Sequence, residues 1–218
     1  MPAEDFFQRA RARLSRDVPA ALLNPDVVPD KGDHELNKEA QALWAIRPIR
    51  PAAVLIPVVD RPQPTVLLTQ RSAHLPDHAG QISFPGGKIE TADESPLAAA
   101  LREAEEEIGL DRRFVDPIGY LDLYMTTLGY RIVPVVARVA PDYTLTLNRS
   151  EVDDAFEVPL AFLMEPANHQ KQSRDWQGMT RHYFVMPFEQ RNIWGATAGI
   201  LRNLYERIYA GSASVRSE

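Results

Sequence analysis

The chain has 218 residues, a formal net charge of −6, 44% hydrophobic and 25% charged residues, which suits one packed domain with or without extensions and excludes wholesale disorder. No basic block stands out, arguing against a nucleic-acid scaffold; an acidic chain that binds an anion needs metal ions or a few well-placed Arg and Lys. Cysteine is absent, so disulfides, thiolate catalysis and zinc–thiolate sites are excluded, in keeping with a reducing compartment.

Residues 1–17 lack the apolar core of a signal peptide, and the longest apolar run, Ala52 to Val59, is too short to span a bilayer. The expectation is a soluble, cytoplasmic protein. Residues 4–15 read as a short amphipathic helix, with Phe6, Phe7, Ala10 and Leu14 at helical spacing. Residues 24–36, rich in Pro, Asp and Gly, read as an extended loop. Residues 40–46 predict another short helix. Residues 1–48 thus form an N-terminal extension packing on a domain over 49–211, and 212–218 a frayed tail.

The continuous apolar run 52–59 predicts a strand buried on both faces. Pro62 and Pro64 mark a turn and 65–70 a second strand, followed by a long loop over 71–83 that ends at Phe84-Pro85-Gly86-Gly87. Ser95-Pro96 is a helix start, with Ser as N-cap and Pro at the first helical position, and Gly109 is its stop. Further strands are expected near 116–123, 131–139 and 182–187, a short helix over 158–164, and a last helix from about Ile193 to Ala210. Strands come before, between and after helices without a regular βαβ repeat. That favours an α/β fold with a mixed sheet flanked by helices.

On the predicted helix, Leu97, Ala100, Leu101, Ala104 and Ile108 form one apolar stripe. Glu103 and Glu107 stand one turn apart along its edge, and Glu106 lies at spacings of three and one from them. Carboxylates at the border of a buried stripe face a cleft wall, where their oxygens can converge on one hard cation such as Mg²⁺. A solvated acidic face is the other reading, and energetics do not decide between them: like charges at this spacing cost only about 0.2–0.5 kcal/mol per pair, and Arg102 offsets part of that. Gly86-Gly87 lets backbone approach a ligand closely, and a Gly87 carbonyl there would add an oxygen to the same ion.

These residues resemble the Nudix box, G-x5-E-x7-R-E-U-x-E-E-x-G-U, with U a bulky apolar residue. Glu94, Arg102, Glu103, Glu106, Glu107, Gly109 and Leu110 match in register. Ala104 stands at the first apolar position, and six residues rather than five separate Gly87 from Glu94. Upstream, LLTQRSAHLPDHAGQISFPGG, residues 67–87, is similar to the signature of coenzyme A diphosphatases; Pro76 stands where that pattern has its second Arg. The segment 193–197 also resembles this branch.

The resemblance implies a Nudix α/β/α sandwich that uses Mg²⁺ or Mn²⁺ to hydrolyse a small-molecule, nucleotide-derived diphosphate, as a monomer or homodimer without nucleic acid or membrane as partner. The expected reaction converts coenzyme A or acyl-CoA to (acyl-)4′-phosphopantetheine and adenosine 3′,5′-bisphosphate. ADP-ribose, NADH or dinucleoside polyphosphates are alternative substrates, and a non-catalytic ligand-binding regulator is a further alternative. Glu103 and Glu107 are the expected main metal ligands, with Gly87 beside them. Glu106 is a further ligand or part of the base network, oriented by Arg102. Glu151 is the expected general base from a later loop, or else a solvated loop carboxylate. Arg71 and Lys88 are the expected substrate contacts. His74 and His78 read as loop residues, because Pro76 between them breaks the helix that would align them. Trp176 and Trp194 are candidates for stacking on adenine, or simply packing residues.

Overall fold

A computed structural model of the chain describes residues 2–24, 26–38, 49–176 and 179–210. The helix expected over 40–46 and the tail 212–218 lie outside the described residues. The first helix, α1 (Ala3–Arg13), is followed by a short strand β1 (Lys31–Gly32). Strands β2 (Arg50–Val59), β3 (Thr65–Arg71), β4 (Ile82–Ser83) and β5 (Gly86–Lys88) precede the central helix α2 (Pro96–Ile108). Then come β6 (Val115–Tyr120), β7 (Tyr124–Met125), β8 (Tyr130–Val139), β9 (Val152–Pro159) and a single helical turn α3 (Leu160–Leu163). The chain closes with β10 (Gln170–Trp176), β11 (Met179–Phe188), β12 (Arg191–Trp194) and α4 (Ala196–Ile208).

Strand β2 is the axis. It runs parallel to β8 over its whole length, from Arg50↔Tyr130 to Val59↔Val139. Its other edge is shared: residues 52–54 pair with β5 and residues 58–59 with β3, both antiparallel. Pro57, which has no N–H to give, falls where β5 has ended and β3 has not begun, so the sheet parts there without losing a ladder bond on that edge. Strand β3 continues outward to β4 and β9, and β8 to β6 and β7. The sheet is mixed, as the order of elements predicts.

Both faces of β2 are covered, which is why its sequence is apolar without alternation. Ala53, Leu55 and Val59 pack under α2 with Ala99, Ala100 and Ala104. Ile56 and Val58 face the opposite layer, where Phe6 and Phe7 of α1 meet Leu201, Leu204 and Ile208 of α4. This is an α/β/α sandwich, and α1 is part of its core: Phe6 and Phe7 are fully buried. No helix among the described residues is long and apolar enough to cross a membrane.

Three expectations about elements need correction. The last helix begins at Ala196, not Ile193; residues 191–194 are strand β12, and Gly195, at φ +66°, makes the turn between them. Ile193 is buried as a strand residue, so its apolar character fitted either element. The stretch 82–88 is not all loop: β4 and β5 pair with β3 and β2. Helix 158–164 shrinks to α3, because 152–159 extend as β9 along β3.

Candidate active site

The site is built around α2. Ser95 Oγ accepts from the Ala98 N–H at 3.1 Å and Pro96 fills the first turn, so the start is fixed by local chemistry. Gly109, at φ +67°, ends the helix. The last carbonyls of α2 find partners in the loop that follows β8: Asn148 N–H donates to the Glu107 carbonyl and Thr146 N–H to that of Ile108, both at 2.9 Å. This ties the loop carrying Glu151 to the helix carrying Glu107. Asn148 Nδ2 then donates to Glu151 Oε1 at 2.9 Å, and the Ser72 N–H donates to the Glu151 carbonyl at 2.8 Å. Glu151 is therefore held from both sides, next to the exit of β3.

Glu103 and Glu107 lie on the side of α2 that meets β5. The Gly86 N–H donates to Glu107 Oε2 at 3.2 Å. The Glu103 carboxylate fills the space that a side chain at Gly87 would take: a Cβ there would lie 2.6 Å from its Cδ and Oε1 and 2.7 Å from its Oε2. Glu107 is 2% exposed, and its carboxyl is pushed up to about 7, mainly by burial, with Glu103 and Glu151 adding repulsion. Glu103 is also raised, first by burial and further by Glu106 and Glu151, against the pull of Arg102. Arg71 Nη1 is 3.7 Å from Glu107 Oε1. Among the described residues its Nε is buried without a hydrogen-bond partner, and it sits at a bulge between Gln70 and Arg71 near the end of β3.

Arg102 is the hub of the other side. It donates through Nε and Nη2 to the two oxygens of Asp93, at 3.0 and 3.1 Å. Its Nη1 reaches Glu103 Oε1 and Glu106 Oε2, each at 3.0 Å, and Nη2 also reaches the Lys88 carbonyl at 3.2 Å. The Arg102 contacts hold the Asp93 carboxyl below the usual carboxylate range. Glu106, whose side chain is 55% exposed, faces outward on this arginine. The helix thus brings Glu103 and Glu107 together beside Gly86 and Gly87, with Glu151 near them, and leaves Glu106 on the rim.

Asp93 escaped the sequence reading. Counted back from Arg102, the box places Glu94, and Glu94 is exposed. Counted forward from Gly87, the position after five intervening residues is Asp93, and Asp93 is the side chain under Arg102. The extra residue therefore sits after Asp93, and the forward count was the signal that could have found it.

A cavity of about 490 Å³ opens beside this cluster. Gly86, Gly87, Lys88 and Arg71 line it near the carboxylates, and Val54, Phe84, Ile132 and Ile200 give it an apolar wall. Trp194, 39% exposed and tilted against Tyr183 with ring centroids 5.5 Å apart, also lines it. His78 lies on the loop at φ +60°, against Gln81, as a loop residue should. The side chain of Trp176 lies outside the described residues.

Glu107 is buried with only the Arg71 guanidinium near it, at 3.7 Å, and Glu103 is half-buried with one oxygen on Arg102, so the carboxyl oxygens beside Gly86 and Gly87 are short of positive charge. Among the described residues, no three His, Asp or Glu side chains form a ready-made ion cage. An ion held by two carboxylates, with backbone, water and substrate oxygens completing its shell, is the arrangement that suits Mg²⁺ or Mn²⁺. The residues present fit such an ion.

A mixed-sheet α/β/α sandwich with an acidic helix packed on a Gly-Gly strand defines a class, and sequence comparison agrees: the NUDIX domain family matches residues 49–177. The chain belongs to the Nudix hydrolase family, whose members generally use divalent metals such as Mg²⁺ or Mn²⁺, and it is a Nudix pyrophosphohydrolase. Among curated proteins it is 44% identical over 155 residues to the uncharacterized Nudix hydrolase NudL of Escherichia coli K12, covering 71% of this chain and 81% of that one. Among solved structures it is similar to a C. elegans Ap4A hydrolase binary complex, at 20% identity and TM-score 0.44 over 50% of this chain and 80% of that one. It is also similar to the NUDIX domain of Shewanella oneidensis NrtR complexed with ADP ribose, at 22% identity and TM-score 0.39 over 57% and 84%.

Proposed function

We propose that this Nudix hydrolase cleaves the diphosphate linkage of coenzyme A or acyl-CoA, giving (acyl-)4′-phosphopantetheine and adenosine 3′,5′-bisphosphate. The observation that carries the reading is a coincidence of place. Arg71 and Phe84, which belong to the stretch similar to the coenzyme A signature, line the same cavity as Gly86 and Gly87, the two glycines that Glu107 and Glu103 lean on.

In this reading Glu103 and Glu107 would hold a divalent ion, with the Gly87 backbone alongside. When bound, that ion would offset the charge of the diphosphate oxygens and make water a better nucleophile. The chain's own groups do the rest. Arg71, which lines the cavity and whose Nη1 is only loosely paired with Glu107, is placed to take a substrate phosphate oxygen. Lys88 is exposed on the cavity edge and adds positive charge there. Arg102 fixes Glu103 and Glu106 from behind while Asp93 fixes Arg102. Glu151, positioned by Asn148 and electrostatically coupled to Glu103 and Glu107, receives the proton as water oxygen bonds to one phosphorus. The bridging P–O bond breaks, and its electron pair leaves on the other phosphate.

The alternative substrates ADP-ribose, NADH and dinucleoside polyphosphates are favoured by one departure, Pro76 in place of a second arginine. A non-catalytic regulator is disfavoured, because Glu103, Glu106 and Glu107 are all retained. The test is a panel of diphosphates with Mg²⁺ or Mn²⁺ and identification of products by mass. Preference for coenzyme A over dephospho-coenzyme A would support the reading; equal or greater turnover of ADP-ribose would replace the substrate.

A further inference from the structure

The cavity beside the acidic cluster is not built by residues 49–177 alone. Asp33 and Asn37 line it from before that stretch, and Arg181, His182, Tyr183 and Trp194 from after it. What joins these walls is a run of hydrogen bonds through residues 33–37.

Strand β12 covers the edge of β11 only from Val185 to Phe188. Beyond that, Gly195 N–H donates to the Phe184 carbonyl, and the next groups pointing to the same edge are the N–H and carbonyl of His182. Asn37 meets both: its Nδ2 donates to the His182 carbonyl and its Oδ1 accepts from the His182 N–H, each at 2.8 Å. Among the described residues no strand pairs with that part of the edge, and one side-chain amide takes its place. The same Nδ2 donates to the Asp33 carbonyl at 2.8 Å. The Asp33 carboxylate in turn accepts from Tyr124 Oη at 2.9 Å, Thr127 N–H at 2.7 Å and Thr127 Oγ1 at 2.9 Å. The turn after β7 supplies Thr126 and Leu128 to the cavity wall, and β11 supplies Arg181 to Tyr183. Residues 33–37 therefore tie two opposite contributors to one cavity.

We propose that this strap sets the width of the cavity and that Asn37 is a positioning residue for substrate choice, acting through β11 on the group attached beyond the diphosphate. The inference rests on the functional reading above, in which that group occupies this cavity. Asn37 touches neither Glu103 nor Glu107, so its loss separates fit from chemistry.

The experiment uses the full chain with Asn37→Ala, which removes all three bonds, and Asn37→Asp, which keeps an acceptor for the His182 N–H but loses both donors. Kinetics are measured with coenzyme A and with ADP-ribose, Mn²⁺ affinity by spin resonance of the free protein, and amide exchange by mass spectrometry. The expected result for Asn37→Ala is a KM raised about tenfold or more, with kcat within about threefold and Mn²⁺ affinity within about twofold. Amide exchange over 179–184 should quicken at least tenfold, and at least as much in Asn37→Asp, whose second carboxylate oxygen would face the His182 and Asp33 carbonyl oxygens. Unchanged exchange overturns the strap, and so does a parallel loss of kcat and Mn²⁺ affinity. If only ADP-ribose is turned over, the coenzyme A reading fails while the strap stands or falls on the KM for ADP-ribose.

Discussion

Two adjacent glycines make the sharpest test of the site, because the same small change at each meets a different obstacle. At Gly87, φ is not in the left-handed region, so alanine adopts the backbone freely. Its Cβ would lie 2.6 Å from the Glu103 carboxylate, where ordinary contact starts at 3.4 Å. The carboxylate, the far end of a flexible side chain, must retreat by about the difference, close to 1 Å. A displacement of that size at a reacting centre costs on the order of 10²-fold in rate. The fold itself loses little and, through the unfolded chain, gains about 0.4–1 kcal/mol. At Gly86 the obstacle is backbone: a Cβ would strike the Ala53 carbonyl oxygen and lie 2.6 Å from Val54 Cα, and φ is +150°. Neither atom can swing away, because both belong to the central strand β2. Strain and overpacking of that kind cost roughly 2–6 kcal/mol together, or on the order of 4–24 °C in Tm for a chain of this size.

The prediction is therefore a crossed pair. Gly87→Ala keeps its Tm, loses about 10²-fold in kcat/KM, and binds Mn²⁺ more weakly. Gly86→Ala loses Tm first. Differential scanning fluorimetry with EDTA, diphosphate hydrolysis and Mn²⁺ titration would read all three. Full activity and full Mn²⁺ affinity in Gly87→Ala would refute the placing of Glu103 at the ion. A Tm loss in Gly87→Ala equal to that in Gly86→Ala would refute the distinction between a yielding side chain and an unyielding strand.

Asp93→Asn should lower kcat about tenfold with KM little changed, and cost about 1–3 kcal/mol in urea unfolding, since it frees Arg102 from its paired contact; Glu94→Gln, on an exposed residue, should match the parent in both measurements. Glu107→Gln should abolish the rise in Tm that Mn²⁺ produces and cut kcat/KM at least 10²-fold, read by calorimetry with and without the ion. The Glu107 carboxyl is raised in the fold, so without metal the parent loses stability as pH climbs from about 4.5 through about 7, by on the order of 3 kcal/mol; Glu107→Gln should flatten that slope. Glu157 runs the opposite way. Its carboxyl is held down at about 2, chiefly by Arg61, with Thr65 and Tyr143 also donating to it. Its stabilisation, up to about 3 kcal/mol, is present above about pH 4.5 and disappears as pH falls towards 2. Acid unfolding of Glu157→Gln compared with the parent would measure it.

The parts of the molecule that were legible in the sequence are those whose structure is decided locally or by one repeated environment. The start of α2 is written in Ser95-Pro96 and its end in Gly109, and the hydrogen bond from Ala98 to Ser95 shows that mechanism at work. The buried run 52–59 is apolar because both faces are covered, and nothing else in the chain had to be known to read it. The acidic cluster was legible as residue types at helical spacing, with Glu103 and Glu107 set apart from Glu106, but what lies opposite each of them was not. Glu103 and Glu107 are distinguished from Glu106 by what lies opposite them, Gly86 and Gly87 in one case and Arg102 with open solvent in the other.

What stayed hidden depended on partners far along the chain. Strand β9 carries Asp153, Asp154 and Glu157 among its apolar residues, and reads as a loop until β3 is placed beside it. Ile193 and Ile200 share helical spacing with Leu204 and Ile208, yet Ile193 is buried from a strand and the others from a helix. A period of 3.6 across a strand–turn–helix boundary is a coincidence that only the positive φ of Gly195 breaks. Asn37 is the extreme case. It sits in a polar stretch with loop composition, and its importance comes from a strand edge 145 residues away that has no neighbouring strand among the described residues. Polar loop residues of that kind carry no periodic signal. A side-chain amide that replaces a strand satisfies two backbone groups with a single residue, and only the edge it completes reveals what it is for.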